Sequence, residues 1–475
     1  LEAAATDGEP HYGINTGFGS FSRERISPEH LRELQINLVR SHAAGVGAPL
    51  DVPTVRAMTL LLAASLARGR SGVRAELIER LALMLNRGVT PIVPETGSVG
   101  ASGDLAPLSH LSLVLIGEGE AVLADGSRRS GAEALRSVEL EPLTLEAKEG
   151  LALINGTHLM AARLSLAWSR FERLFPAAML AAAMSLDACR ATDAFLDPRV
   201  YEARGHAGPA AVAGRMRALL AGSEILPSHA TPDDPRVQDP YSIRCSPIVL
   251  GTVLDLSGPV RGALDAELGA VTDNPLFFLR DGGDGADIIS AGNFHGAPVA
   301  IPADALAIGL SNLANLSERR TYHMISARDP ETRLRPFLSP MPGLHSGYMI
   351  PQYTAAACCN ELASLASAAS VVNLPTSAGM EDVNSFGPRS VAKLHRGLDL
   401  TRTVVAIELL CAAQALEMHR PLRSGGRVEA AHAVIRERVR ALEADRPPAP
   451  DIEAIEALIE SGSFGEPMLE FDRGA

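Results

Sequence analysis

Apolar residues recur along this chain at the three-and-four spacing of an amphipathic helix far more often than at the alternation of a strand. Ser27, Pro28 and Glu29 form a helix start, a capping residue followed by proline at the first helical position. Behind them Leu31, Leu34 and Leu38 fall on one face. A second segment over 74–87 stops at Gly88, a natural C-terminal cap. Stretches rich in Ala and Leu predict long helices over about 158–190, 250–270, 302–325, 352–372 and 388–420. The last has no proline after Pro388, and its roughly thirty residues would span ~45 Å at ~1.5 Å each. None keeps a heptad repeat, so the pattern points to a large bundle rather than a coiled coil.

Strand signals are few. Residues 121–123 with the Asp125-Gly126 turn read as a hairpin arm, and DGGDGAD at 281–287 reads as a turn between short strands. Pro447, Pro448 and Pro450 break the chain before a short terminal helix at about 451–461. There is no internal repeat and no low-complexity linker. The expected fold is mainly α: a smaller N-terminal part over 1–150, then a helical core over 151–475 built on long central helices.

Composition narrows the function classes. The chain has 475 residues, 46% of them apolar, enough for a large core. Its net charge of −13 is spread among interspersed acids and bases, which argues against a nucleic-acid partner. No apolar run approaches the ~20 residues of a membrane span; the richest, 177–186, stops at Asp187. With no signal segment, a cytoplasmic protein with no membrane partner is expected. Five cysteines, of which only Cys358 and Cys359 are adjacent, with no C-x-x-C or H-E-x-x-H pattern, suggest a reducing compartment and no metal.

One polar stretch stands apart. Residues 95–110 read ETGSVGASGDLAPLSH, with Gly97, Gly100 and Gly103 set around Ala101 and Ser102 ahead of an apolar segment. Glycine removes the Cβ that blocks tight or left-handed backbone. In Ala101-Ser102-Gly103 the Gly103 nitrogen can attack the Ala101 carbonyl carbon and close a five-membered ring. Loss of the Ser102 hydroxyl then leaves an exocyclic methylene, an electrophile that no ordinary side chain supplies. The plain readings of a Gly-rich segment before a helix are a turn or a phosphate cradle. There is no G-x-x-x-x-G-K-[ST] pattern and no clear strand ahead of the loop, which weakens the cradle. The spacing also fails the G-x-S-x-G nucleophile elbow.

This stretch resembles the cofactor-forming motif of the aromatic amino acid ammonia-lyases, in which Ala-Ser-Gly becomes 4-methylideneimidazol-5-one. The likeness continues through HYGINTGFG at 11–19, LQINLVRSHAAGVG at 34–47 and GLALINGTH at 150–158. It resumes in VQDPYSIRC at 237–245, VTDNPLFF at 271–278, GNFHG at 292–296, SERRTYHMI at 317–325 and PTSAGMEDVNSFG at 375–387. Nine motifs in family order cover nearly the whole chain, nearest to the histidine-specific branch. The resemblance implies that Ala101, Ser102 and Gly103 form the cofactor within the N-terminal part. Asp104 would assist dehydration of Ser102 or cap the helix that follows. Family members carry several tens of residues before the YGxNTGFG motif, so a chain starting at Leu1 is expected to be N-terminally truncated.

Eliminating ammonia from an amino acid requires an electrophile for the amine and a positioned base for the weakly acidic β-proton. It also requires a grip on the carboxylate that aims the β-carbon at that base. The resemblance assigns Tyr12 as the base. Holding a phenol of pKa ~10 ionised at pH 7 costs about 4 kcal/mol, so a positively polarised site is expected, by helix N-termini for example; otherwise Tyr12 is a packed loop residue. Arg244 is the carboxylate clamp, or else a structural partner of Asp239. Asn155 binds the carboxylate or the cofactor carbonyl, or forms an Asx turn before Gly156. Gln238 and Tyr241 share a motif with Arg244 and are expected in the active site. Phe294 shields the electrophile from water or packs in the core.

Ser41 and His42 correspond to positions that face the substrate side chain in the family, and a Ser-His pair resembles histidine-specific members. His42 follows Leu38 by four, near an apolar helix face, where a satisfied core histidine is the alternative. It can bond an imidazole that an apolar pocket would leave unpaired at about 1–3 kcal/mol. Glu381 can fix one imidazole tautomer or stabilise its cation; alternatively it is a surface acid beside Asp382. The chain departs from the histidine-specific pattern at Ala378-Gly379-Met380-Glu381, usually Ala-Asn-Gln-Glu, and at Thr157-His158, usually Thr-Gln. The expected reaction is L-histidine to trans-urocanate and ammonia. The rivals are a tyrosine or phenylalanine ammonia-lyase, a 2,3-aminomutase and a non-catalytic helical scaffold. The resemblance further implies a homotetramer whose sites combine several subunits, so that Tyr12 and Ser102 meet only across an interface.

Overall fold

The long apolar stretches are helices in the computed structural model, which describes residues 1–231, 234–282 and 285–465. They run over His158–Ala188, Ser246–Glu267, Ala297–Ser326 and Gly387–Glu417. The stretch expected to reach 372 is shorter, Met349–Leu365. Beyond it, serines and β-branched Val371 and Val372 favour other backbone. The Ser370 amide is bonded instead to the Asp304 carboxylate at 2.9 Å.

The chain forms two compact units. The first comprises Leu1–Leu166, Val260–Asp304 and Ala368–Ala392; the second comprises Ala167–Pro259, Ala305–Ser367 and Lys393–Ala475. The N-terminal part expected to end at 150 therefore continues to Leu166 and gathers two later segments. Local bonds explain the gathering. Lys148 and Asp273 form a fully buried ion pair at 2.6 Å, and the Phe277 amide donates to Arg70 O. The Phe386 amide donates to Val99 O, and the Ser385 hydroxyl to Gly100 O at 2.8 Å.

Three helices of the first unit carry its core: α1 (Leu31–His42), α2 (Leu105–Leu115) and α3 (Glu149–Ile154), each packed on the other two. In α2, Leu108, Leu111, Val114 and Leu115 are all sealed from solvent, each worth roughly 1.5–3 kcal/mol of burial. The buried Ser109 and Ser112 hydroxyls donate to Leu105 O and Leu108 O, so these polar side chains are buried with partners. Strand β1 (Val46–Pro49) pairs antiparallel with β2 (Pro94–Thr96). These strands escaped the sequence pattern because both are short and contain proline. Consequently the Gly-rich loop does follow a strand, contrary to the expectation.

The hairpin Glu120–Val122 with Arg128–Ser130 is present and is extended by Thr90–Pro91. Leu276–Leu279 pairs antiparallel with Ala286–Ile289; residues 283 and 284 of the turn expected between them lie outside the described residues.

In the second unit, helices pack around Glu408. Its carboxylate receives Arg320 Nε at 2.5 Å and Nη2 at 2.8 Å, and the Ser185 and Ser317 hydroxyls at 2.6 Å each. The terminal helix spans Ala449–Glu460. Among the described residues only Ala297–Ser326 is long and apolar enough to cross a membrane, and 61% of its apolar window is buried.

Candidate active site

The 97–103 loop runs from β2 to the N-terminus of α2 and is fixed from several sides. Gly103 has φ +76°, and a Cβ there would lie 2.3 Å from Gly156 O, so only glycine fits. That close approach lets the Asp104 amide donate to Gly156 O at 2.7 Å, while the Ser98 hydroxyl bonds Gly103 O. Among the described residues the Gly103 N–H makes no hydrogen bond. Asn155, at the C-terminal end of α3, donates Nδ2 to Ser102 O at 3.0 Å. The Ser102 hydroxyl donates to Glu381 at 2.7 Å. An Ala-Ser-Gly ring fits this setting. The nitrogen that such a ring would use is unengaged, the hydroxyl that it would lose sits on a carboxylate, and the oxygen that it would keep already has a donor.

Glu381 is no surface acid. Its second oxygen accepts from Thr376 Oγ1 at 3.0 Å, and Thr376 pairs with it across a tight turn. Ser377 and Ala378 in that turn have φ +51° and +53°, a strained backbone worth of order 1–3 kcal/mol per residue. Sequence reasoning missed Thr376; its only signal was a place five residues before Glu381 in one motif.

Tyr12 and Ser102 line the same cavity of about 640 Å³ within one chain, together with Ser41, His42, Asn155 and Glu381. The expectation that Tyr12 and Ser102 meet only across an interface is thus corrected. Leu34, Leu38, Leu105 and Ile154 make much of the remaining wall. A neighbouring lobe of about 560 Å³ shares Tyr12, Ser102, Asn155 and Glu381 and adds Phe294, His295, Met380 and Val383.

The Tyr12 hydroxyl accepts from the Gly19 amide at 3.3 Å. Burial pushes the phenol above its ordinary pKa, the Gly19 N–H opposes this, and the Glu381 charge adds to the rise. Leu105, the first residue of α2, lines the same cavity as Tyr12. His42 Nδ1 is engaged by Leu38 O at 2.9 Å and lies 3.0 Å from the Ser41 hydroxyl. A proton on Nδ1 for Leu38 O leaves the Nε2 lone pair available.

Asp104 does not touch the Ser102 hydroxyl, and its side chain does not cap α2. It accepts from the Leu159 and Met160 amides at 2.9 and 3.1 Å and so caps the His158–Ala188 helix. Burial pushes its carboxyl up to about 7, against the pull of those amides. Beside it, His158 is buried with neither ring nitrogen bonded, and burial lowers its pKa to about 4.

Gln238, Tyr241 and Arg244 belong to the second unit, whereas both lobes draw their lining from the first. Gln238 is exposed, and Tyr241–Arg244 is one short helical turn. The Arg244 guanidinium lies 4.5 Å from the centre of the Tyr241 ring. Arg244 does not pair with Asp239, whose carboxylate is taken by Thr192 and faces Arg236. Among the described residues no cluster of three His, Cys, Asp or Glu side chains could hold a metal ion.

A helical scaffold that sets a glycine-ringed Ala-Ser-Gly loop beside a tyrosine, an asparagine and a carboxylate has the make-up of a lyase site. The sequence pattern of the aromatic amino acid lyases matches residues 1–437, and this chain belongs to that family. It is 50% identical over 470 residues to the histidine ammonia-lyase of Anaeromyxobacter sp. (strain K), covering 98% of this chain and 91% of that one. Its fold is similar to the crystal structure of histidine ammonia-lyase from Trypanosoma cruzi, with TM-score 0.88, 39% identity and coverage of 99% and 87%. Tyrosine aminomutase from Streptomyces globisporus is similar too, with TM-score 0.90, 35% identity and coverage of 98% and 90%.

Proposed function

We propose that this chain eliminates ammonia from L-histidine to give trans-urocanate, with Ala101, Ser102 and Gly103 cyclised to 4-methylideneimidazol-5-one. The carrying observation is that Tyr12, His42, Asn155 and Glu381 converge with Ser102 on one cavity. Half-identity over nearly the full length to a histidine ammonia-lyase supports the same substrate.

When formed, the group offers an electrophilic methylene to the substrate amine. Asn155 keeps its donor on the Ser102 oxygen, which the ring would retain as its carbonyl. His42 presents Nε2 to an imidazole N–H, and Glu381 holds the imidazole in one orientation. Tyr12, as phenolate, takes the β-proton; the C–N bond electrons leave with ammonia and a Cα–Cβ double bond forms. Arg244 binds the carboxylate as a bidentate fork. In the homotetramer that this reading entails, Gln238, Tyr241 and Arg244 complete the site of a second copy. The 70% exposure of Tyr241 suits that role. A cytoplasmic location goes with this assignment.

The test is an ultraviolet assay of the purified protein against L-histidine, L-tyrosine and L-phenylalanine, with chromatographic product identification. Urocanate from histidine alone is expected. An arylacrylate from either other substrate, or a β-amino acid, would overturn the substrate or the reaction.

A further inference from the structure

The junction between α1 and β1 carries an interaction that the reaction scheme does not use. Gly45, three residues beyond His42, donates its amide to His110 Nε2 at 3.0 Å. His110 lies on α2, one turn and a half beyond the electrophile loop. The other arm of that loop reaches the same point. A Cβ on Gly97 would stand 2.9 Å from Gly45 Cα and 3.2 Å from Ala106 Cβ. A Cβ on Gly45 would press on His110 Nε2 at 3.2 Å and on Pro94 of β2 at 3.3 Å. The chain just beyond the helix that carries Ser41 and His42 is therefore wedged, at Gly45, between the two flanks of the loop that carries Ser102. Packing and the β1–β2 pairing that begins at Val46 hold the backbones together, and the His110 bond ties Gly45 to α2 as well.

We propose that His110 is a positioning residue for recognition of the substrate side chain, its Nε2 bond to Gly45 holding Ser41 and His42 in register with Ser102. This rests on reading Ser41 and His42 as substrate contacts. The lone pair that accepts Gly45 N–H must be free of a proton, and burial lowers the imidazole pKa accordingly. Glutamine places an amide oxygen near the position of Nε2, whereas leucine fills similar space without an acceptor.

His110→Leu and His110→Gln are compared in the full-length protein. For His110→Leu, KM for L-histidine is expected to rise roughly three- to tenfold, the worth of one neutral hydrogen bond. Its kcat and its mass deficit of two waters, which reports cyclisation, should persist. His110→Gln should stay close to the unaltered protein. Amide exchange over 43–47 should quicken in His110→Leu alone. Unchanged KM and exchange in His110→Leu would overturn the proposal. So would equal impairment of both variants, or a fall in kcat without a change in KM. If the unaltered protein fails to turn over L-histidine, the substrate reading fails, while the exchange comparison still decides whether the bond holds Gly45.

Discussion

Two buried polar clusters, one in each unit, differ in completeness. In the second unit, the Glu408 oxygens accept from Arg320, Ser185 and Ser317, and Arg320 Nη1 reaches the Ser246 hydroxyl at 3.1 Å. In the first unit, Asn155 Oδ1 and both His158 nitrogens are buried without partners, and Asp104 and Glu267 are pushed upward by burial. A saturated cluster specifies how helices pack. An unsaturated one leaves donors and acceptors for chemistry or a guest, and the fold bears the desolvation cost of about 1–3 kcal/mol per unpaired group.

The sharpest way to break this contrast is at Ser102. Ser102→Ala removes the leaving hydroxyl, so ammonia release should fall by several orders of magnitude and the mass deficit of two waters should vanish; undiminished turnover would defeat the electrophile assignment. Tyr12→Phe comes next, with a loss of roughly 10²–10⁴-fold in kcat. Because the Tyr12 pKa is raised, the basic form gains population only toward alkaline pH. The kcat/KM of the unaltered protein should therefore keep climbing toward pH 10, and Tyr12→Phe should lose that limb.

The saturated cluster should answer differently. Glu408→Ala leaves Arg320 buried and unpaired, with about 3–5 kcal/mol lost from unfolding free energy in urea titrations. Whatever protein remains folded should bind substrate normally. A raised KM without loss of stability would erase the distinction between the two regions.

The smallest effects concern pH. His158 has a folded pKa of about 4, below its usual 6.5, so the stability it allows is present above pH 6.5 and is lost as pH falls toward 4. Asp104, at about 7 instead of 3.8, binds its proton more readily when folded, so its contribution declines as pH rises from about 4 to 7. His158→Gln and Asp104→Asn should therefore tilt the plot of melting temperature against pH in opposite directions. Tilts of the same sign would show that the two groups do not titrate as described.

How much of this was legible in the sequence depended on the reach of each interaction. Helix periodicity is local, so the long helices and the hairpin at 120–130 could be read directly. The Ala-Ser-Gly motif could be read directly because its three residues are adjacent. The cap that Asp104 provides could not be read, because its partners lie 55 and 56 residues away, on a helix whose proximity only the fold supplies. The Thr376 hold on Glu381 depends on two non-glycine residues in left-handed backbone, which no propensity announces. That Val260–Asp304 joins the first unit was not legible, because pairings such as Lys148 with Asp273 span 125 residues. Those pairings are long-range, and one sequence carries no sign of them.

The contact between Gly103 and Gly156 O has a consequence for anyone mapping this enzyme by mutation. At position 103 every replacement collides with backbone, so inactivity there reports shape and says nothing about ring closure. Position 102 opens onto both lobes and has space for other side chains. Adjacent blank columns in a mutational scan would thus have unrelated origins, and only the column at Ser102 would measure chemistry.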